Sequence, residues 1–101
     1  MGLLDFLFGN KTEKIQDFKQ RGAIVLDVRT KPEYKNGHIA GSQNIPLQEL
    51  SSYLKDLKKK DRPIITCCAS GARSASAANM LRTNDIESMN GGGWKSLEGK
   101  L

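Results

Sequence analysis

The residues best suited to chemistry are contiguous: Cys67, Cys68, Ala69, Ser70, Gly71, Ala72, Arg73 and Ser74. They follow a β-branched apolar run and precede an alanine-rich one, so the chain is expected to pass here from a buried strand into a helix. A thiol at such a junction faces loop amides and the positive end of a helix dipole, and both favour the thiolate. Arg73 adds the loop's one full positive charge. Together these should bring a cysteine below its free pKa of about 8.5. Gly71 lets the backbone turn its N–H groups inward, and Ala69 and Ala72 leave that cup unobstructed. The chemistry implied is nucleophilic attack by a thiolate, with the cup then holding a leaving anion or a retained atom.

The elements that must position this loop can be read on either side of it. Pro63, Ile64, Ile65, Thr66 and Cys67 make a strand apolar enough to be covered on both faces. Ser74 to Arg82 reads as a helix with Ala77, Ala78 and Leu81 inward. Upstream, Ala23 to Val28 is a second buried strand, ending on Asp27, Val28 and Arg29. A carboxylate there needs a partner, and Asp27 either orients the loop or pairs with Arg29, the structural role being favoured. Thr30 and Glu33 form a capping box around Pro32, which predicts a brief helical turn bearing Tyr34.

Thr12 is placed to N-cap a first helix with Ile15 and Phe18 on one face. Leu47, Leu50, Leu54 and Leu57 recur at helical spacing, with a break expected near Ser51 and Ser52. Ile86 to Met89 reads as a last strand, closing at Asn90 and Gly91, Gly92, Gly93. Strands alternating with helices predict an α/β domain with a parallel sheet.

At 101 residues, with 38% apolar and 27% charged residues, the chain suits one soluble domain. The organisation expected is an apolar arm over residues 1–11 and a folded domain over 12–101. The arm's Leu3, Leu4, Phe6, Leu7 and Phe8 are interrupted by Asp5, too short a run to span a membrane, and no stable membrane insertion is expected. The net charge is +5, and the densest basic run is Lys58, Lys59 and Lys60 with Arg62 just beyond. That run ends a helical pattern without interleaved aromatics, so it reads as a solvated helix end and not as a nucleic-acid surface. Adjacent cysteines cannot staple a loop, and one histidine without a ligand cluster gives no metal site. A reducing, cytoplasmic setting is expected.

The sequence resembles the rhodanese family over nearly all of the chain after Thr12. The match runs through Asp27, Val28, Arg29, then Glu33, Tyr34, Gly37, His38, Ile39, Gly41, Asn44, Ile45 and Pro46. The active loop C-x-x-G-x-R-S is met by Cys68, Gly71, Arg73 and Ser74, and a late pair of glycines followed by tryptophan by Gly91, Gly92 and Trp94. The resemblance implies a parallel sheet of about five strands flanked by helices. It also implies a sulfurtransferase in which Cys68 takes a sulfane sulfur from thiosulfate or a small or protein-bound persulfide. A thiophilic acceptor, cyanide or a thiol, then removes it, and no cofactor is required. Residues 69–74 would bind the substrate, with Asp27 and Arg29 in support. Ala69 and Ala72 stand where relatives proficient with thiosulfate often carry basic residues, so thiosulfate is expected to be a poor donor. The interval from glycine to Trp94 is shorter than the family's, which predicts a short last helix.

Counted from Cys67, the loop reads C-x-x-x-x-x-R, the spacing of cysteine phosphatases, some of which share the rhodanese fold. A phosphatase or arsenate reductase is therefore an alternative, as is a sulfur-carrying or redox-sensing module without turnover. Gly71 fits the register from Cys68, and Cys67 prolongs the apolar strand. His38 reads as loop architecture and Trp94 as a core plug. The oligomeric state is open.

Overall fold

A computed structural model describes residues 11–101, so the apolar arm expected at the N-terminus lies almost wholly outside the described residues. Strand β1 spans Ile24–Asp27, β2 Gln43–Asn44, β3 Ile64–Cys68 and β4 Ser88–Gly93. They form one parallel sheet in the order β2-β1-β3-β4. Among the described residues the sheet has four strands where about five were expected. Its edge strand β2 carries only two residues, both polar, and shows no apolar period.

Helices α1 (Lys11–Gln20), α2 (Lys31–Lys35), α3 (Leu54–Lys60), α4 (Ala72–Thr83) and α5 (Trp94–Glu98) connect and cover the strands. Side chains of a strand alternate between faces, and this divides the core in two. Ile24, Leu26, Val28, Ile64 and Cys68 point to one face, where Leu50, Leu57, Ala77 and Leu81 cover them. Ile65 and Cys67 point to the other, against Ile15, Phe18, Ile39, Met89 and Leu97. Among the described residues no helix is long and apolar enough to cross a membrane.

Two elements differ from expectation and a third agrees with it. Helix α1 already includes Lys11, the first described residue, so Thr12 lies within the helix and not at its cap. The leucine-rich segment divides as foreseen, into a 3₁₀ helix over Leu47–Tyr53 and then α3. Strand β4 starts and ends later than Ile86–Met89, and its glycines belong to the sheet. A Cβ on Gly91 would lie 2.7 Å from Ile65 Cγ2 and 2.8 Å from the Thr66 carbonyl oxygen. That position has room for a backbone alone, so glycine here marks a close approach between strands and not a turn.

Candidate active site

The chain reverses direction in the sheet between β1 and β3: the path leaves β1 toward β2 and returns to β3 on its other side. Crevices at the carboxyl ends of parallel strands open at such reversals, and Cys68 ends β3 there. Gly71 follows with φ of 107°, a left-handed conformation that costs glycine nothing, and caps the start of α4. The turn brings N–H groups back onto the sulfur. Gly71 N–H donates to Cys68 Sγ at 3.0 Å, Ser74 N–H reaches it at 3.4 Å, and Ser74 Oγ lies 3.3 Å away. Burial opposes ionisation of Cys68 most strongly, yet the hydrogen bonds from Ser74, Gly71 and Ser70 prevail and lower its pKa.

Cys67 is one residue away and wholly different. It lies on the opposite face in the second apolar cluster, and its pKa is pushed up to about 12, by burial first and then by the charge of Asp27. A thiol held protonated in this way is a weak nucleophile near neutral pH.

Arg73 is ion-paired. Its guanidinium grips Glu33 with two bonds, at 2.8 and 3.1 Å. Glu33 in turn accepts from Thr30 N–H and Oγ1, completing the capping box of α2. The bonds from Arg73 and Thr30 hold the carboxyl down at about 2. Arg73 also walls a cavity of about 270 Å³ with Val28, Thr30, Pro46, Leu47 and Gln48. Arg73 is the positive charge expected beside the thiol, and a carboxylate is paired with it.

Asp27 and Arg29 form a buried pair at 2.7 Å. Arg29 also donates to the carbonyl oxygens of Glu33 and Gly37 and lies under the Trp94 ring at 4.8 Å. None of these side-chain bonds reaches the loop after β3, so the pair shapes the β1–α2–β2 connection. His38 accordingly stacks on Tyr34, with ring centroids 3.7 Å apart, and bonds the Tyr34 carbonyl oxygen. No cluster of metal ligands occurs among the described residues.

Residues 11–99 match the family described as the rhodanese-like domain. The chain belongs to the rhodanese family. It is 35% identical over 95 residues to an uncharacterized protein of Bacillus subtilis, YqhL, covering 90% of this chain and 75% of that one. It is also 35% identical over 85 residues to the thiosulfate sulfurtransferase GlpE of Pseudomonas fluorescens, covering 79% of this chain and 75% of the relative. Among solved structures, a rhodanese-related protein of Thermoplasma volcanium superposes with a TM-score of 0.72 at 32% identity, covering 88% of each chain.

Two residues of this rhodanese-like domain escape sequence reasoning. Glu33 reads as a helix cap, and its bond to a residue forty positions on has no local signature. Asn90 reads as the end of a strand. In the fold its side chain accepts from Ser74 Oγ at 2.6 Å and donates to the Gly71 carbonyl oxygen at 3.1 Å, bracing the cup from β4. An amide amid glycines offers no apolar pattern to mark it.

Proposed function

We propose that this rhodanese-like domain is a sulfurtransferase that carries sulfane sulfur on Cys68. The observation behind this reading is the convergence of the Gly71 and Ser74 N–H groups on one sulfur at the mouth of α4, whose pKa they lower. The Cys68 thiolate attacks the outer sulfur of the donor, the donor's S–S bond breaks, and its electron pair departs with sulfite or a thiolate. The negative charge of the new persulfide rests on its terminal sulfur, within reach of the loop amides. Cyanide or a thiol then attacks that terminal sulfur, and the Cys68 thiolate is regenerated. The protein needs no cofactor for this exchange, because the travelling sulfur is held covalently.

The preferred donor under this proposal is a thiol-borne sulfur over thiosulfate. Thiosulfate is a dianion, and the loop meets it with neutral N–H groups and an arginine already matched by Glu33. Both cysteines are free thiols, which suits a reducing cytoplasm as the setting. Intact mass after incubation with thiosulfate, and separately with a low-molecular-weight persulfide, tests the reading. Addition of one sulfur atom to the wild type but not to Cys68→Ser is expected, more completely from the persulfide. No sulfur addition from either donor, or addition that survives Cys68→Ser, overturns it.

A further inference from the structure

Asn90 stands opposite Thr66 in the register of β3 and β4. Two backbone groups of fixed polarity settle which way its amide points. Gly92 N–H donates to Asn90 Oδ1 at 2.9 Å, and Asn90 Nδ2 donates to the Gly71 carbonyl oxygen at 3.1 Å. Oδ1 therefore faces Ser74 Oγ at 2.6 Å. An amide oxygen only accepts, so the bond takes the Ser74 hydroxyl proton. A hydroxyl has one proton to give. With it directed at Asn90, Ser74 Oγ turns a lone pair toward Cys68 Sγ, 3.3 Å away. That geometry suits a Cys68 thiol donating to Ser74, whereas a thiolate needs the Ser74 proton for itself.

We propose that Asn90 is a positioning residue that competes with Cys68 for the Ser74 hydroxyl proton, so that Ser74 donates to Asn90 while Cys68 is a thiol and swings its donor bond to Cys68 when the thiolate forms. The role in turnover rests on the sulfurtransferase reading above. The switch is a rotation about the Ser74 Cβ–Oγ bond. The Cys68 proton departs to solvent, and none passes to Asn90. Once Cys68 is sulfur-loaded the charge moves to the terminal sulfur, and the Ser74 proton returns to Asn90. Asn90 thereby keeps the thiolate from being stabilised so far that it loses nucleophilicity, which declines as thiol pKa falls. Ser74 is at hand again when the thiolate must leave.

Charged and titratable groups around Cys68 come from several elements. Arg73 of α4 is paired with Glu33 of α2, and Asp27 with Arg29 at the end of β1. Cys67 stays protonated, and Lys11 Nζ of α1 lies 3.0 Å from where a Cβ of Gly92 would stand. A neutral substitution at position 90 leaves each of these charges in place.

The test is the Cys68 titration, read from the pH dependence of alkylation in a Cys67→Ser background. Asn90→Ala should lower the Cys68 pKa by about 0.5 to 1 unit, the size of one neutral hydrogen bond. The same change in a Ser74→Ala background should leave the titration where it was. A residue that merely braces the loop has the opposite effect, since losing its bonds to Gly71 and Gly92 loosens the cup and raises the pKa. A raised pKa, an unchanged one, or a shift that persists without the Ser74 hydroxyl overturns the proposal. Should Asn90→Ala fail to fold, the side-chain amide signal of Asn90 in the unsubstituted residue is followed by NMR. It should move through the Cys68 titration and move far less in Ser74→Ala, and equal movement in both overturns the proposal. None of these measurements needs a sulfur donor, so they stand or fall apart from the mass test of sulfur loading.

Discussion

Cys67 and Cys68 share a peptide bond and almost nothing else. The first lies among Ile15, Phe18, Ile65 and Leu97, its thiol held protonated by burial and by Asp27. The second is nearly as inaccessible to solvent, yet N–H groups from the next turn converge on its sulfur and lower its pKa. Burial alone does not set the fate of a thiol. The alternation of a strand puts neighbours on opposite faces, and only one of those faces meets the mouth of a helix whose first amides are unspent. The same alternation separates the two ways of counting the loop: the phosphatase-like spacing from Cys67 starts on the face of the sheet opposite to Cys68.

The sharpest way to break this contrast is to exchange the two roles. Cys68→Ser is expected to reduce sulfur transfer to background, measured as thiocyanate or persulfide product. Cys67→Ser should stay within about threefold of wild type in kcat/KM while losing about 1–3 kcal/mol of stability in urea unfolding, since it places a hydroxyl in an apolar cluster. Full loss of transfer in Cys67→Ser with retention in Cys68→Ser would invert the assignment. The next effect concerns the turn that separates the two environments. Gly71→Ala forces a side chain into a left-handed backbone and should cost about 1–3 kcal/mol, while raising the Cys68 pKa as its own N–H is drawn off the sulfur. Alkylation rate against pH measures this, and an unaltered profile would show that the Gly71 N–H contributes nothing.

A smaller effect distinguishes thiolate stabilisation from donor capture. Because Glu33 offsets Arg73, Glu33→Gln should raise kcat/KM for thiosulfate a few-fold and move that for a persulfide donor, which carries less charge, much less. Arg73→Ala should depress thiosulfate use without a large change in the Cys68 titration. Comparing the two donors at fixed ionic strength checks both, and a thiosulfate rate indifferent to Glu33→Gln removes the charge-offset account. The smallest effect is on acid stability. The Glu33 carboxyl is depressed to about 2 from an ordinary value of 4.5, so the unfolded chain binds the extra proton as pH falls through that window. The stability contributed is complete above 4.5 and lost toward 2. Unfolding midpoints across that range should slope less in Glu33→Gln than in wild type.

What the sequence makes legible is whatever has a local cause. The apolar runs of β1 and β3, the capping box of Thr30 and Glu33, the break in the leucine-rich segment and the strand-to-helix loop each follow from residues within a few positions of one another. Cys68 and its cup belong to this class. The bounds of β4 do not, since Gly91 is in the strand because of what Ile65 and Thr66 leave no room for. The partner of Arg73 and the reach of Asn90 to Ser74 depend on which strands lie side by side, and sequence spacing carries no record of that. Edge strand β2 is too short and too polar to register at all.

Glu33 ties the start of α2 to the first turn of α4 with a single carboxylate. A side chain that serves two masters restricts the routes open to mutation. Any substitution that frees Arg73 to draw in anionic donors, glutamine excepted, also gives up the Glu33 bond to Thr30 N–H that closes the capping box of α2. Variants with a taste for thiosulfate should therefore arise in lineages that have first acquired spare stability elsewhere, or should bring new cations to positions 69 and 72 and leave Glu33 untouched.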